Sequence, residues 1–287
     1  LLWCDLNKDS IMYANENLPI VRTPVTVPTL QAMKDRGGRI ATLTAYDASF
    51  ARAMDAAGID AVLVGDSLGM VIQGAGNTVS VSVDDMIYHS RCVANGLQSA
   101  LLIADMPFQS YADPDRALAA AARLLAEGHA GMVKLEGAGF VLAAIEYLSA
   151  RDIPVCAHLG LTPQSVLKLG GFKVQGRDAG DAEAILAQAR QVEQAGAQLL
   201  VLECMPSDLA KKITLAAGIP TIGIGAGPHC DGQILVCYDA LGINSGHRRP
   251  RFVKDFLAGN ASIEAAFRQY VGDVKCAAFP AAEHGYA

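Results

Sequence analysis

The stretch MVKLE (residues 132–136) sets two opposite charges, Lys134 and Glu136, into a short apolar run. Side chains alternate along a strand, so residues two apart point to the same side. A lysine facing into a buried core is costly unless it is paired or used. Four further runs end on an ionisable residue: AVLVGD (61–66) on Asp66, LLIAD (101–105) on Asp105, PVCAH (154–158) on His158 and LLVLE (199–203) on Glu203. Sequence able to form helix separates most of them. Repeated strand–helix units of this kind predict a parallel sheet buried on both faces. Ligands of such sheets bind at the carboxyl ends of the strands, where the acids and the histidine would converge.

The rest of the chain extends the pattern. A helix is expected at Thr29 to Arg36, stopped by Gly37-Gly38. RIATLTAYD (39–47) reads as strand one, followed by a helix from Ser49 to Ala57 that stops at Gly58. After strand two comes a long glycine-containing loop (67–80), then a helix capped by Ser82 or Asp84 and running to about Asn95. Asp113-Pro114 opens an Ala-rich helix after strand three, and Phe140 to Ala150 and about Asp181 to Ala195 read as helices. IPTIGIGAG (219–227) is strand seven. QILVCYDALGI (233–243) is a blurred eighth unit, either a strand or the opening of a helix.

Seven clear units and a blurred eighth favour a (β/α)8 TIM barrel over an open doubly wound sheet. One barrel domain is expected over residues 26–287, with the region past Gly246 as a C-terminal helical appendage. Residues 1–25 carry the only Trp and no sustained periodicity, and read as an N-terminal arm or a leader.

Composition narrows the function classes. At 287 residues the chain can bury a full core, roughly 75% of its unfolded surface. Hydrophobic residues make up 52% and charged residues 18%, a balance that fits an enzyme with substantial subunit interfaces. The net charge of -6 and the absence of a basic stripe argue against nucleic acid as a partner. No run approaches the roughly 18 apolar residues of a membrane span. Seven cysteines without a C-x-x-C pair suggest neither a disulfide framework nor zinc, and a cytoplasmic location is expected.

Asp66, Asp105 and Glu136 fall at the ends of strands two, three and four, which are neighbours in a barrel. Three carboxylates brought together repel one another unless a cation sits among them, and oxygen-only donors suit Mg²⁺. The bland alternative is that each acid caps the helix that follows, with Asp66-Ser67 its best case. Lys134 either binds a substrate carboxylate or neutralises Asp105 or Glu136, and the two roles are compatible. His158 is either a satisfied core residue or a catalyst. Glu203, across the mouth from the metal candidates, suits a general base, the alternatives being a fourth metal ligand or a salt bridge. Gly223, Gly225 and Gly227 read either as a phosphate cradle or as room for a flat ligand. LGGFKVQGRDAGD (169–181), with Lys173 and Arg177, reads as a mobile lid or an ordinary solvated loop.

Taken together, TAYDASFARAMDAAGIDAVLVGDSLGMVIQG (44–74), LLIADMPF, MVKLEG, VCAHLGLTPQSV, GGFKVQGR, QLLVLECMP and IPTIGIGAG resemble the ketopantoate hydroxymethyltransferase family, from about residue 28 onward. The resemblance implies a (β/α)8 barrel assembled as a decamer. It implies transfer of a one-carbon unit from 5,10-methylenetetrahydrofolate to 3-methyl-2-oxobutanoate, giving 2-dehydropantoate for pantothenate biosynthesis. By motif, Asp66, Asp105 and Glu136 correspond to the family's Mg²⁺ site, with one ion per subunit. Asp66, Ser67, Asp105 and Lys134 correspond to its oxo-acid contacts, and Glu203 to its proton acceptor. His158 would stand behind them; the Ala157 before it replaces a glycine common in the family, a change touching only fine positioning. The nearest rival reading is a Mg²⁺-dependent carbon–carbon lyase or mutase on a related barrel, acting on an oxo acid or phosphonate. A non-catalytic binding barrel is the rival from another class.

Overall fold

Eight parallel strands close on themselves in chain order in the computed structural model, which describes residues 22–243 and 249–287. All but the last residues of the expected 1–25 arm lie outside the described residues, as does Gly246. The strands are β1 (Ile40–Thr44), β2 (Ala61–Val64), β3 (Leu101–Asp105), β4 (Met132–Glu136), β5 (Val155–Gly160), β6 (Leu199–Glu203), β7 (Thr221–Ile224) and β8 (Gly232–Leu235). Each pairs with the next, and β8 returns to β1 with Ile40 opposite Gly232. The expected TIM barrel is what the chain forms.

Helices fill the connections: α1 (Val27–Asp35), α2 (Ala48–Ala57), α3 (Leu68–Val71), α4 (Val83–Ala94), α5 (Pro114–Ala126), α6 (Val141–Ser149), α7 (Val166–Leu169), α8 (Ala179–Gln194), α9 (Ser207–Ala216), α10 (Cys237–Ala240) and α11 (Ile263–Lys275). Their starts follow local chemistry. Asp47 accepts from two backbone N–H groups at the head of α2, and Ser82 forms a reciprocal capping box with Asp85 at the head of α4. Asp113 caps α5 and Asp178 caps α8, which therefore begins a few residues before the expected Asp181. The loop expected after β2 folds in part into α3.

Two apolar layers result. Ile40, Leu63, Ile103, Met132, Cys156, Val201, Ile222 and Ile234 fill the barrel, while the alternate strand residues pack outward against the helices. Both faces are apolar, which is why the strands read as continuous hydrophobic runs. The blurred eighth unit is both things at once, β8 followed by α10. The C-terminal helix α11 lies against α2 and β1 and supplies the outer cover at the closure. Its Tyr270 hydroxyl sits 2.7 Å from the Thr42 carbonyl of β1 and 2.9 Å from the Gln233 carbonyl of β8. The segment expected as an appendage thus seals the seam.

Candidate active site

The inward period of the strands carries the chemistry. On β3, Ile103 and Asp105 face the interior; on β4, Met132, Lys134 and Glu136; on β5, Cys156 and His158; on β6, Val201 and Glu203. Strand register then sets them side by side, with Asp105 opposite Lys134, Glu136 opposite His158, and Gly160 opposite Glu203. Asp66 arrives differently. β2 ends at Val64, and Gly65 turns the chain so that Asp66 and Ser67 stand over the mouth. A side chain at position 65 would come within 2.7 Å of Ser67 Oγ, so the glycine leaves the Ser67 hydroxyl free to keep its place.

Lys134 and the acids are almost wholly enclosed. Lys134 Nζ lies 2.5 Å from Asp105 Oδ1 and 3.6 Å from Glu136 Oε1, with both lysine and aspartate side chains 4% exposed. Burial works to lower the Lys134 pKa, but Asp105, Glu136 and Asp66 outweigh it and keep the ammonium charged well above the usual lysine range. The Asp66 N–H donates to Asp105 Oδ2 at 3.0 Å. Burial, with the neighbouring charges of Asp105 and Glu136, drives the Asp66 pKa well up. Asp105 is also pushed up, chiefly by burial and against the pull of Lys134. Glu136 moves the other way: burial is outweighed by His158, Lys134 and the Gln164 N–H, and its pKa falls.

Three residues outside the sequence-derived set complete this network. Gln164, on the turn after β5, donates from Nε2 to Asp66 Oδ2 and to the Met106 carbonyl, both at 2.9 Å. Its backbone N–H donates to Glu136 Oε2 at 3.0 Å, and its Oε1 accepts from the Tyr111 hydroxyl at 2.5 Å. Tyr46, just past β1, shares a 2.9 Å hydrogen bond with Ser67 Oγ. Tyr46 stands past β1 much as Asp66 stands past β2, a signal the sequence did contain. Gln164 and Tyr111 offered no such signal.

The carboxylates are suited to a hard cation, with a division of labour. Asp105 Oδ1 is fully buried and has no hydrogen bond, the Lys134 ammonium lying close but out of line. Asp66 and Asp105 are both pushed toward protonation, so added positive charge beside them is favoured. Glu136 is already engaged at both oxygens, by His158 and Lys134 on one and Gln164 on the other. Among the described residues no group of three His, Cys, Asp or Glu is placed to hold a metal ion, so the expected Asp66, Asp105 and Glu136 are not assembled as a three-carboxylate site.

His158 links this cluster to Glu203. Its Nδ1 is 3.2 Å from Glu136 Oε1, and its Nε2 is 3.2 Å from Glu203 Oε2, close for an ion pair but out of line for a hydrogen bond. Burial and the Lys134 charge pull its pKa down, yet the two glutamates outweigh them and raise it to about 9. Glu203 is the most open of the group, its side chain 16% exposed at the end of β6. Gly160 makes room for it, since a side chain there would collide with the Glu203 carbonyl oxygen, and its φ of 95° suits glycine.

The remaining motifs resolve into packing. Gly223 clears Cys230 and Gln233, Gly225 lies against the Phe252 ring, and Gly227 against Ser207. The expected phosphate cradle or ligand platform at TIGIGAG is space for the protein's own side chains. In the 169–181 loop, the Gln175 N–H donates to the Cys204 carbonyl at 2.9 Å, tethering that loop beside Glu203. No helix among the described residues is long and apolar enough to cross a membrane.

Comparison with known proteins agrees with this architecture. The closed barrel resembles 2,3-dimethylmalate lyase, a PEP mutase/isocitrate lyase superfamily member, with a TM-score of 0.56 at 20% identity over 76% of this chain and 82% of that one. A phosphonopyruvate hydrolase solved with oxalate and Mg²⁺ matches with a TM-score of 0.57 at 14% identity, covering 88% and 96%. At such identities the likeness is one of fold. Sequence relatives are much nearer. The 3-methyl-2-oxobutanoate hydroxymethyltransferase of Stenotrophomonas maltophilia is 58% identical over 265 residues, 92% of this chain and 97% of the relative. The enzyme of the same name from Thiobacillus denitrificans is 57% identical over 264 residues, 92% of this chain and all of the relative. The family model for ketopantoate hydroxymethyltransferase matches residues 24–282, and the chain belongs to that family.

Proposed function

We propose that the chain transfers a hydroxymethyl group from 5,10-methylenetetrahydrofolate to 3-methyl-2-oxobutanoate, forming 2-dehydropantoate with Mg²⁺ bound. One observation carries this reading: a crowded Asp66–Asp105 pair and a more open carboxylate, Glu203, share one barrel mouth, with His158 standing between Glu203 and the Glu136 beside that pair. A carbon acid bound by its oxo and carboxylate oxygens needs those two kinds of acid.

Asp66 and Asp105 would hold the cation, with Glu136 supporting them from its contacts with Lys134, His158 and Gln164. Mg²⁺, when bound, supplies a Lewis acid to the keto and carboxylate oxygens and stabilises charge as the C3 proton leaves. Lys134 and Ser67 hold the carboxylate end, and Tyr46 orients the Ser67 hydroxyl. The Glu203 carboxylate takes the proton from C3, and C3 then bonds to the donor's methylene carbon, one of whose C–N bonds opens; water displaces the remaining nitrogen and leaves its oxygen as the new hydroxyl. Lys134 and Glu203 fixed on strands, with Ser67 just past β2, would bring the reacting carbons into near-attack geometry. Transfer consumes a water and releases tetrahydrofolate.

A decamer and a cytoplasmic setting complete the proposal. Phe140, Phe172, Leu167 and Leu215 are each more than half exposed, as surfaces buried by assembly would be in an isolated subunit. The test of the reaction is formation of 2-dehydropantoate from the two substrates, with and without Mg²⁺. A lyase on the same frame would instead cleave an oxo-acid precursor with no donor present.

A further inference from the structure

Two separate segments meet on the turn after β6, next to Glu203, and a third is joined to the second of them. The first is the 169–181 loop, joined there by the hydrogen bond from Gln175 N–H to the Cys204 carbonyl, with Gly176 packed against Leu209. The second is residues 281–286. Tyr286 forms a β-bridge with Pro206, and its carbonyl accepts from the Ser207 N–H at 2.9 Å and the Ser207 hydroxyl at 3.1 Å. Gly285 is buried against Ser207 and Gly227, where a side chain would come within 2.7 Å of Ser207 Oγ. The third is Arg251, whose Nε donates to the Glu283 carbonyl at 2.8 Å.

The convergence leaves two positive charges without a carboxylate partner among the described residues. Arg177 and Arg251 are both exposed, and neither has a carboxylate within ion-pair distance among the described residues. The adjacent Arg249, by contrast, pairs with Asp255 at 3.1 Å. The Tyr286 phenol feels both guanidinium groups and the Glu203 carboxylate: burial and the neighbouring Cys204 and Glu203 raise its pKa, and the two arginines oppose them. The backbone contacts set Arg177, two residues past Gln175, and Tyr286 on segments that meet at the turn following Glu203, with Arg251 joined to the second of them.

We propose that Arg177, Arg251 and Tyr286 form an anion-binding subsite beside Glu203, which takes the carboxylate-bearing glutamate end of the folate donor. This rests on the donor assignment made above. Guanidinium forks suit carboxylates, and a phenol adds a neutral donor to the same oxygens. Anchoring at the rim places the donor's methylene group over Glu203 and the oxo acid without adding charge to the buried acid cluster.

The test compares two donors in the Mg²⁺-loaded enzyme: 5,10-methylenetetrahydrofolate and the methylene derivative of tetrahydropteroate, which lacks the glutamate. Arg177→Ala and Arg251→Ala should each raise KM about 10-fold for the first donor and less than twofold for the second. Arg177→Lys should recover part of the loss. Deuterium exchange at C3 of 3-methyl-2-oxobutanoate, which needs no donor, checks that each variant keeps its oxo-acid site. Equal KM changes for the two donors, or none for either, would overturn the subsite. A wild type that exchanges the C3 proton yet transfers from neither donor would overturn the donor assignment, and the subsite with it.

Discussion

The Gln164 amide donates to Asp66 Oδ2 at 2.9 Å across a sequence separation of 98 residues. One Asp66 oxygen is thereby fixed, and the other is the one available to a cation and substrate. Orienting partners of this kind are commonly worth 10- to 100-fold in metal affinity. Gln164→Ala should therefore weaken Mg²⁺-dependent binding of 3-methyl-2-oxobutanoate about 10-fold by calorimetry. An unchanged affinity would show that Asp66 needs no such restraint.

Removing the acids themselves should have a larger effect. Asp66→Ala and Asp105→Ala should each abolish Mg²⁺-dependent oxo-acid binding, and chelation of Mg²⁺ should do the same to the unaltered protein. Relief of repulsion should leave Asp66→Ala no less stable to heat, whereas Asp105→Ala, which strips the buried Lys134 of its nearest partner, should be destabilised. Metal-dependent substrate affinity retained in either variant would sink the chelation model.

Most of the candidate site was legible in the sequence, for a physical reason. Asp105, Lys134, Glu136, His158 and Glu203 lie on strands, where period-two alternation and parallel register convert sequence position into place. Gln164 and Tyr111 lie on loops, whose spatial neighbours no local period encodes, whereas Tyr46 follows β1 at the same place that Asp66 follows β2. TIGIGAG misled because the glycines answer to Phe252, Ser207 and Cys230, contacts formed only once the chain has folded. The role of α11 was hidden likewise, since its place depends on β8 closing onto β1 and on Tyr270 reaching both strands.

Asp239 provides a test of burial away from the site. Burial pushes its carboxyl up to about 6, against a weaker pull from Arg249. Its folded pKa is raised, so stability is greatest with the acid protonated and falls as pH rises from about 4 through 6. Asp239→Asn should raise stability at pH 7 by about 1–3 kcal/mol, with the gain vanishing near pH 4. Melting curves across that range would show a constant difference if the acid were not buried in its charged form.

Assembly is open to direct measurement. With its apolar composition and exposed Phe140, Leu167 and Phe172, the chain should scatter light as a particle of about ten subunits. A fully active monomer of 30.0 kDa would refute that.

The central claim is that Glu203 removes the C3 proton. Glu203→Gln keeps size and hydrogen bonding but removes basicity, so the Mg²⁺ and oxo-acid complex should still form. The measurement is deuterium exchange at C3 of 3-methyl-2-oxobutanoate in D₂O, followed by NMR with Mg²⁺ and without donor. The unaltered protein should exchange the proton, and the variant should be slower by roughly 10²–10⁴-fold, the usual contribution of a positioned base. Equal rates in the two would remove Glu203 from that role and turn attention to His158, whose Nε2 lies 3.2 Å from it.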